Sequence, residues 1–199
     1  MKTMTKKQRD IILAACREFE EYGFAGTGME QIAAAADVSK RTLYKHYSSK
    51  EAVFSAILDY LHQERDAQEW PEYDPGSPLR GQLEAVIRCM LGHLNLEEHI
   101  RLARIVISEA VRKPELGDIL ARTVDFSDNA PSQWIRAAMD DGRLKGGDPA
   151  KAAFYLAGLV RAHSLWPRLV FCAAPLSGRE MADAASECAD FFLGYYDVS

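Results

Sequence analysis

The sequence predicts an all-α protein of roughly nine helices. Apolar residues recur at helical spacing along the whole chain of 199 residues, and helix-capping pairs precede many of these stretches. The two β-like runs, residues 105–107 and 169–172, are short and lie between helical stretches, so helix is the better interpretation of both. A chain of this length forms one domain, or a small and a medium one.

Three short or medium helices are predicted before residue 50. Residues 29–36 are rich in alanine and form about two helical turns, and a second short helix runs from residue 40 to about 47. The expected caps and stops of these first helices are Thr5 with Gln8, Gly23, either Thr27 or Gly28, and Ser39.

Longer helices are predicted in the rest of the chain. A capping box at Ser48 and Glu51 opens a helix that runs to about residue 69, and the proline-rich residues 70–78 interrupt the pattern. Ser77 and Pro78 are the expected cap and first residue of the next helix. The later helices are expected at residues 79–94, 97–111, from a turn at Pro114 to 141, 149–166 and 177–195.

The composition is that of a globular protein without a membrane span. Hydrophobic residues make up 48% of the chain and charged residues 27%. No apolar run approaches the roughly 20 residues that cross a bilayer, and no signal peptide follows the basic start. The four cysteines are far apart and share no CxxC spacing, which is typical of reduced thiols in a cytoplasmic protein.

The charges are distributed unevenly along the chain. The net charge is −5, which alone argues against a nucleic-acid partner. Residues 1–50, however, hold nine basic and six acidic side chains, whereas the other 149 residues hold 15 basic and 23 acidic ones. This asymmetry indicates a small anion-binding region on an acidic body.

Residues 29–47 have the size of a helix-turn-helix motif. Such a motif places its second helix in the major groove, so the start of that helix must read bases and hold phosphates. Lys40, Arg41 and Thr42 stand there, and arginine suits bidentate contact with guanine. Lys50 begins the next helix, where its ammonium group could hold a phosphate. Four further candidates lie between them: Tyr44, Lys45, His46 and Tyr47.

Residues 5–54 carry a more specific pattern than a general helix-turn-helix. Its positions are Ile11, Ile12, Ala14, Ala15, Phe19, Tyr22, Gly23, Phe24, Thr27, Ile32, Ala33, Val38, Ser39, Thr42, Leu43, Tyr44, His46, Tyr47, Ser49, Lys50, Glu51 and Phe54. In these residues the chain closely resembles the DNA-binding domain of TetR-family transcriptional regulators. Beyond residue 70, residues 101–109, 112–116 and 154–159 resemble the C-terminal domain of the AefR-like branch of that family.

The resemblance implies a homodimeric repressor that binds a palindromic operator and releases it in response to a small effector. Residues 1–50 would be the helix-turn-helix domain, and residues 51–199 a larger helical domain for ligand binding and dimerisation. The implied base contacts come from Lys40, Arg41, Thr42 and Lys45. The implied phosphate contacts come from Tyr44, His46 and Lys50, and Thr27 and Tyr47 complete the predicted DNA-binding set.

Two residues depart from the family pattern. The family usually has serine or threonine where Gly28 stands, so one hydroxyl that contacts a phosphate is missing. It usually has glycine in the turn between the two helices, where this chain has Asp37. Aspartate tolerates the left-handed backbone conformation better than most residues, so we expect the turn to form at a modest cost.

Bulky side chains on the central helices are candidates for binding the effector, although side chains of this kind at helical spacing usually belong to the core. They are Met90, Leu94, Ile105, Phe126, Trp134, Phe154, His163 and Trp166. Because the set is mainly apolar, it favours a hydrophobic or aromatic effector over a sugar or a nucleotide. Residues 149–166 and 179–196 form two long helices, and the second shows an apolar surface too broad for an exposed helix. Two such helices from each subunit predict a four-helix bundle in a homodimer.

An enzyme is the main competing interpretation, and the sequence disfavours it. The five histidines show no HExxH or ExxH pairing, and no P-loop, GxGxxG or GxSxG motif occurs. We therefore predict no catalytic residues, no metal site and no cofactor. A role in chromosome organisation or division control, and a role as an activator, stay open at this point.

Overall fold

The computed structural model describes residues 4–66, 69–123 and 128–198, and the regular structure within them is helical, apart from one isolated bridge between Leu144 and Asp197. The helices are α1 (Lys6–Gly26), α2 (Met29–Ala35), α3 (Lys40–His46), α4 (Lys50–Asp66), α5 (Leu79–Leu94), α6 (Glu97–Arg112), α7 (Pro114–Thr123), α8 (Ala130–Asp140), α9 (Pro149–His163), α10 (Leu165–Phe171) and α11 (Gly178–Tyr196). The all-α prediction is confirmed.

The predicted number of roughly nine helices is wrong, because the described residues form eleven. The stretch predicted as one segment up to residue 141 contains both α7 and α8. Asn129 begins α8, since its side chain accepts the Ser132 N–H at 3.0 Å. Pro131 lies in the first turn of α8, where a proline costs no helical hydrogen bond.

The second additional helix follows α9. The helix predicted over residues 149–166 ends at His163, and α10 begins two residues later. Pro167 lies in the first turn of α10, a position that tolerates the missing N–H, so the proline opens a new helix after the break at Ser164.

Most helix caps lie where the sequence predicts them. Capping boxes at Thr5 and Ser177 are confirmed, and Ser39 caps α3 by accepting the Thr42 N–H at 3.1 Å. Two predicted caps are displaced by one residue. Ser49, not Ser48, accepts the Ala52 N–H at the start of α4, and Pro78, not Ser77, is the cap residue of α5.

The described residues divide into two compact units. The first consists of residues up to 66 together with residues 101–123. In this unit α2 and α4 pack on α1, and α7 packs on α4. Its largest buried side chains are Ile11, Ile12, Phe24, Ile32, Leu43, Phe54, Ile57 and Leu102. The core of this unit therefore combines side chains of α1 to α4, which include the helix-turn-helix, with side chains of α6 and α7.

The second unit consists of residues 69–100 and 128–198. Its main packing is of α5 along α11, with α8 and α9 completing the core. The buried side chains of this core include Leu83, Ile87, Leu91, Trp134, Ile135, Leu156, Val160, Cys188 and Phe192. Burial raises the pKa of the Cys188 thiol to about 11, so this thiol stays protonated at neutral pH.

We predict that Asp37→Gly will stabilise the protein. Asp37 has a φ of 51°, in the left-handed region where a side chain is strained and glycine is not. The free energy of unfolding should rise by up to about 1 kcal/mol in Asp37→Gly and fall in Asp37→Ala. Urea denaturation followed by circular dichroism measures both changes.

Ala34→Gly is the matched control, because it introduces the same residue type at an exposed position within α2. That variant should lose about 1 kcal/mol. Equal losses in Asp37→Gly and Ala34→Gly would contradict the assignment of strain to the turn.

Candidate DNA-binding site

The helix-turn-helix is built from α2 and α3. Asp37 reverses the chain between them, and the Val38 N–H donates to the Ala33 carbonyl at 3.0 Å to close the turn. Ile32 of α2 and Leu43 of α3 are fully buried, and both pack in the core of the first unit. Because Leu43 faces inward, the opposite face of α3 is turned towards the surface.

Six of the predicted DNA-binding residues lie together on α3. Lys40, Arg41, Tyr44 and Lys45 are exposed, and Thr42 and His46 are half-buried. This face combines a guanidinium group, two ammonium groups and a phenol, which are the groups that proteins use to bind phosphates and base edges. A helix of seven residues with this face can enter a major groove.

Lys40 forms an ion pair that the sequence does not predict. Its ammonium group contacts the Glu30 carboxylate, which lies on α2. The pairing raises the pKa of Lys40 and lowers the pKa of Glu30. Both side chains are mostly exposed, so water and salt screen the pair and it is weak. Glu30 therefore adds a carboxylate beside the exposed face of α3.

Thr27 and Tyr47 do not reach the surface. The Thr27 hydroxyl donates to the Gly23 carbonyl at 2.9 Å and lies 3.0 Å from the Glu18 carbonyl, so it ends α1. Tyr47 packs in the core, and burial, with a contribution from the negative charge of Asp59, raises its pKa to about 12. Their positions do not support the predicted DNA contacts, because both polar groups face the interior.

Lys50 is half-buried, and its side chain points at the backbone of residues 25–27. Its ammonium group donates to the Thr27 carbonyl at 2.6 Å and lies 3.5 Å from the Ala25 carbonyl. Burial, together with the positive charge of Lys113, lowers the pKa of Lys50. A phosphate at Lys50 would have to compete with these contacts.

The predicted effector-binding residues that the structure describes are divided between the two units. Met90 and Leu94 pack around the core that buries Trp134, whose ring meets the Tyr73 ring at 5.6 Å. Ile105 belongs to the core of the first unit. The remaining predicted residues divide as follows: Phe154 and Trp166 are exposed, His163 lies 3.8 Å from Glu187, and Phe126 lies outside the described residues.

Among the described residues there is no group of three or more histidine, cysteine or acidic side chains that could hold a metal ion. Over the same part of the chain, no helix combines the length and the apolar character that a bilayer crossing requires.

Comparison with known proteins identifies the family. Residues 11–57 match the model of the bacterial regulatory proteins of the tetR family, and residues 81–198 match that of the AefR-like transcriptional repressor C-terminal domain. The chain therefore belongs to the TetR family of transcriptional regulators. This membership confirms the predicted resemblance and the prediction that the chain is a DNA-binding regulator and not an enzyme.

Three similar proteins, two of them with solved structures, match three quarters or more of the chain. A TetR-family transcriptional regulator from Pseudomonas syringae pv. tomato DC3000 is 35% identical, with a TM-score of 0.85 over 99% of this chain and all of that one. The flavonoid-responsive regulator FrrA is 29% identical, with a TM-score of 0.72 over 97% of this chain and 98% of that one. The HTH-type regulator YhgD of Bacillus subtilis is 25% identical over 75% of this chain and 78% of its own.

Proposed function

We propose that this protein is a ligand-responsive homodimeric repressor that binds a palindromic operator. The observation that carries the proposal is the outward face of α3, where Lys40, Arg41, Tyr44 and Lys45 are exposed beside a buried anchor at Leu43. A dimer presents two such helices, and half-sites one helical turn apart lie about 34–36 Å from one another. The two-fold symmetry of a dimer requires a palindromic site.

Exposed apolar side chains on α9 and α11 support a homodimer. Phe154 is 52% exposed, Phe191 is 64% exposed and Tyr195 is 68% exposed. On α11 the side chains of Cys188 and Phe192 are buried in the core of their own unit. The helix is therefore apolar on two faces, and a second subunit can cover the outer one in a four-helix bundle.

We predict that Phe191→Asp will weaken the dimer. A carboxylate on this outer face would have to be desolvated on association, so the variant should shift towards the monomer by at least tenfold in dissociation constant. Sedimentation velocity over a concentration series measures the shift. Val111→Asp is the control, since Val111 is exposed on α6 in the first unit, whereas α9 and α11 belong to the second. A wild-type protein that sediments as a monomer at micromolar concentration would contradict the dimer.

The operator can be recovered by selecting genomic DNA fragments on the purified protein. A repressor should enrich few promoter fragments, the promoter of its own gene among them. Enrichment of many dispersed sites would contradict the repressor role and favour chromosome organisation instead.

We predict that Arg41→Ala and Lys45→Ala will each lose about 1–3 kcal/mol of binding free energy on the recovered operator and relax its sequence preference. Both side chains are exposed on α3, where they can reach base edges. Fluorescence anisotropy with operator and random duplexes measures the two affinities. Arg88→Ala, on α5 of the second unit, is the control. If the substitutions weaken both duplexes equally, the contacts are to phosphates and not to bases.

The proposed effector is hydrophobic or aromatic. Met90 and Leu94 are half-buried and pack against the core that contains Trp134, which gives the second unit an apolar environment suited to such a molecule. FrrA, one of the relatives with a solved structure, is described as flavonoid-responsive, and flavonoids are aromatic compounds. Binding of the effector would favour the state that releases DNA.

We predict that operator DNA and effector weaken the binding of one another by the same factor. A preference of about 100-fold for the DNA-free state corresponds to about 2.7 kcal/mol of coupling. Screening aromatic compounds by thermal shift provides a ligand, and calorimetry with and without operator measures the coupling. Equal affinities in both titrations would show that this compound does not control DNA release.

A further inference from the structure

Glu109 on α6 is a buried carboxylate in the first unit, and its side chain is not part of the exposed face of α3. The residue is only 5% exposed, although glutamate is seldom buried unless it is paired. Its neighbours therefore indicate what the burial achieves.

The Glu109 carboxylate meets the backbone where α1 bends. Its Oε1 accepts the Phe24 N–H at 3.3 Å and lies 3.5 Å from Arg112 Nη1, and the Arg112 side chain is largely exposed. Phe24 directly follows Gly23, whose φ of 72° and ψ of 162° break the helical geometry of α1. A Cβ at position 23 would lie 3.7 Å from Glu109 Oε1, which is an ordinary contact distance. Conformation, and not lack of space, therefore requires glycine there.

Two lysines hold the same segment at other points. Besides its bonds to the Thr27 and Ala25 carbonyls, the Lys50 ammonium group lies 4.7 Å from the centre of the Phe24 ring. The ammonium group of Lys113 lies 4.5 Å from the centre of that ring. Residues 24–27, which follow the bend and end α1, are thus fixed by one carboxylate and two ammonium groups.

Everything that follows this segment in the motif depends on its direction. Gly28 caps α2, and the turn at Asp37 leads directly from α2 into α3. An apolar side chain in place of Glu109 would avoid the cost of desolvating a charge. A directional acceptor at the Phe24 N–H, however, selects one geometry of the bend.

We propose that Glu109 is a positioning residue for DNA recognition, which fixes the bend of α1 at Gly23 and thereby the placement of α2 and α3 on α1. The proposal rests on the DNA-binding role proposed above. It assigns to α6 a part in operator recognition that is exerted through hydrogen bonding to the backbone, without contact with DNA.

The test compares Glu109→Leu with Glu109→Gln in the full-length protein. Leucine removes the acceptor, whereas glutamine keeps an oxygen that can accept the Phe24 N–H. Affinities are measured for the selected operator fragment and for a random fragment of the same length. The ratio of the two affinities should fall at least tenfold in Glu109→Leu and stay within threefold of the wild type in Glu109→Gln. Glu115→Gln, at an exposed position on α7, is the control and should leave the ratio unchanged.

Two results would overturn the positioning role alone: an unchanged ratio in Glu109→Leu, or a loss in Glu109→Gln as large as in Glu109→Leu. A merely structural role would lower both affinities together and leave the ratio constant. A wild type without preference for the selected fragment would overturn the proposed function, and this inference with it.

Hydrogen exchange keeps the test decisive if Glu109→Leu does not fold. In the wild type and in Glu109→Gln, the Phe24 amide should exchange at least 100-fold more slowly than in an unstructured peptide. Exchange of this amide at the rate of an open chain in the wild type would overturn the proposal.

Discussion

The bend at Gly23 determines how the first unit is assembled. A φ of 72° with a ψ of 162° is a backbone conformation that few residues other than glycine adopt, so α1 ends its regular course there. The bend brings the Phe24 ring between two other rings, with centroids 5.1 Å from Phe19 and 5.7 Å from Phe54. The contact between Phe24 and Phe54 joins α1 to α4, directly before the start of α2.

Charged groups in the first unit serve two different purposes. Those on the outside of α3, and the Lys40–Glu30 pair beside them, are solvated and contribute little to stability. Glu109 is buried and Lys50 is half-buried, and both are hydrogen-bonded to the backbone. A hydrogen bond to a charged group is stronger than one between neutral groups. The charges on the outside of α3 therefore stay in contact with water, whereas Glu109 and Lys50 bind backbone groups.

Much of the fold was predictable because its signals are local. The capping boxes at Thr5 and Ser177 and the left-handed turn at Asp37 each depend on residues within four positions of one another. The burial of Thr27 and Tyr47 was not predictable in this way, since a polar side chain within a matching motif gives no sign of which way it faces. Family resemblance identified the motif, but it could not show which of its polar side chains lie on the surface and which lie in the core.

The contacts of Glu109 were beyond sequence reasoning altogether. Glu109 and Phe24 are 85 residues apart, and no periodicity or motif links an acidic residue on one amphipathic helix to a backbone N–H on another. The ion pair between Glu30 and Lys40 was not predicted for the same reason, because the two side chains meet only after the turn has folded. Long-range polar contacts follow from tertiary packing, which single-sequence patterns do not contain.

The two-faced character of α11 has a consequence for how the regulator works at low abundance. An outer face that carries Phe191 and Tyr195 is fully removed from water only in an assembly, so burial of this surface follows mass action. Where pairing is required before DNA can be occupied, occupancy rises more steeply than in proportion to the number of chains in the cell. Dilution by growth and cell division would then act on the regulated promoter more sharply than on a promoter controlled by a monomer.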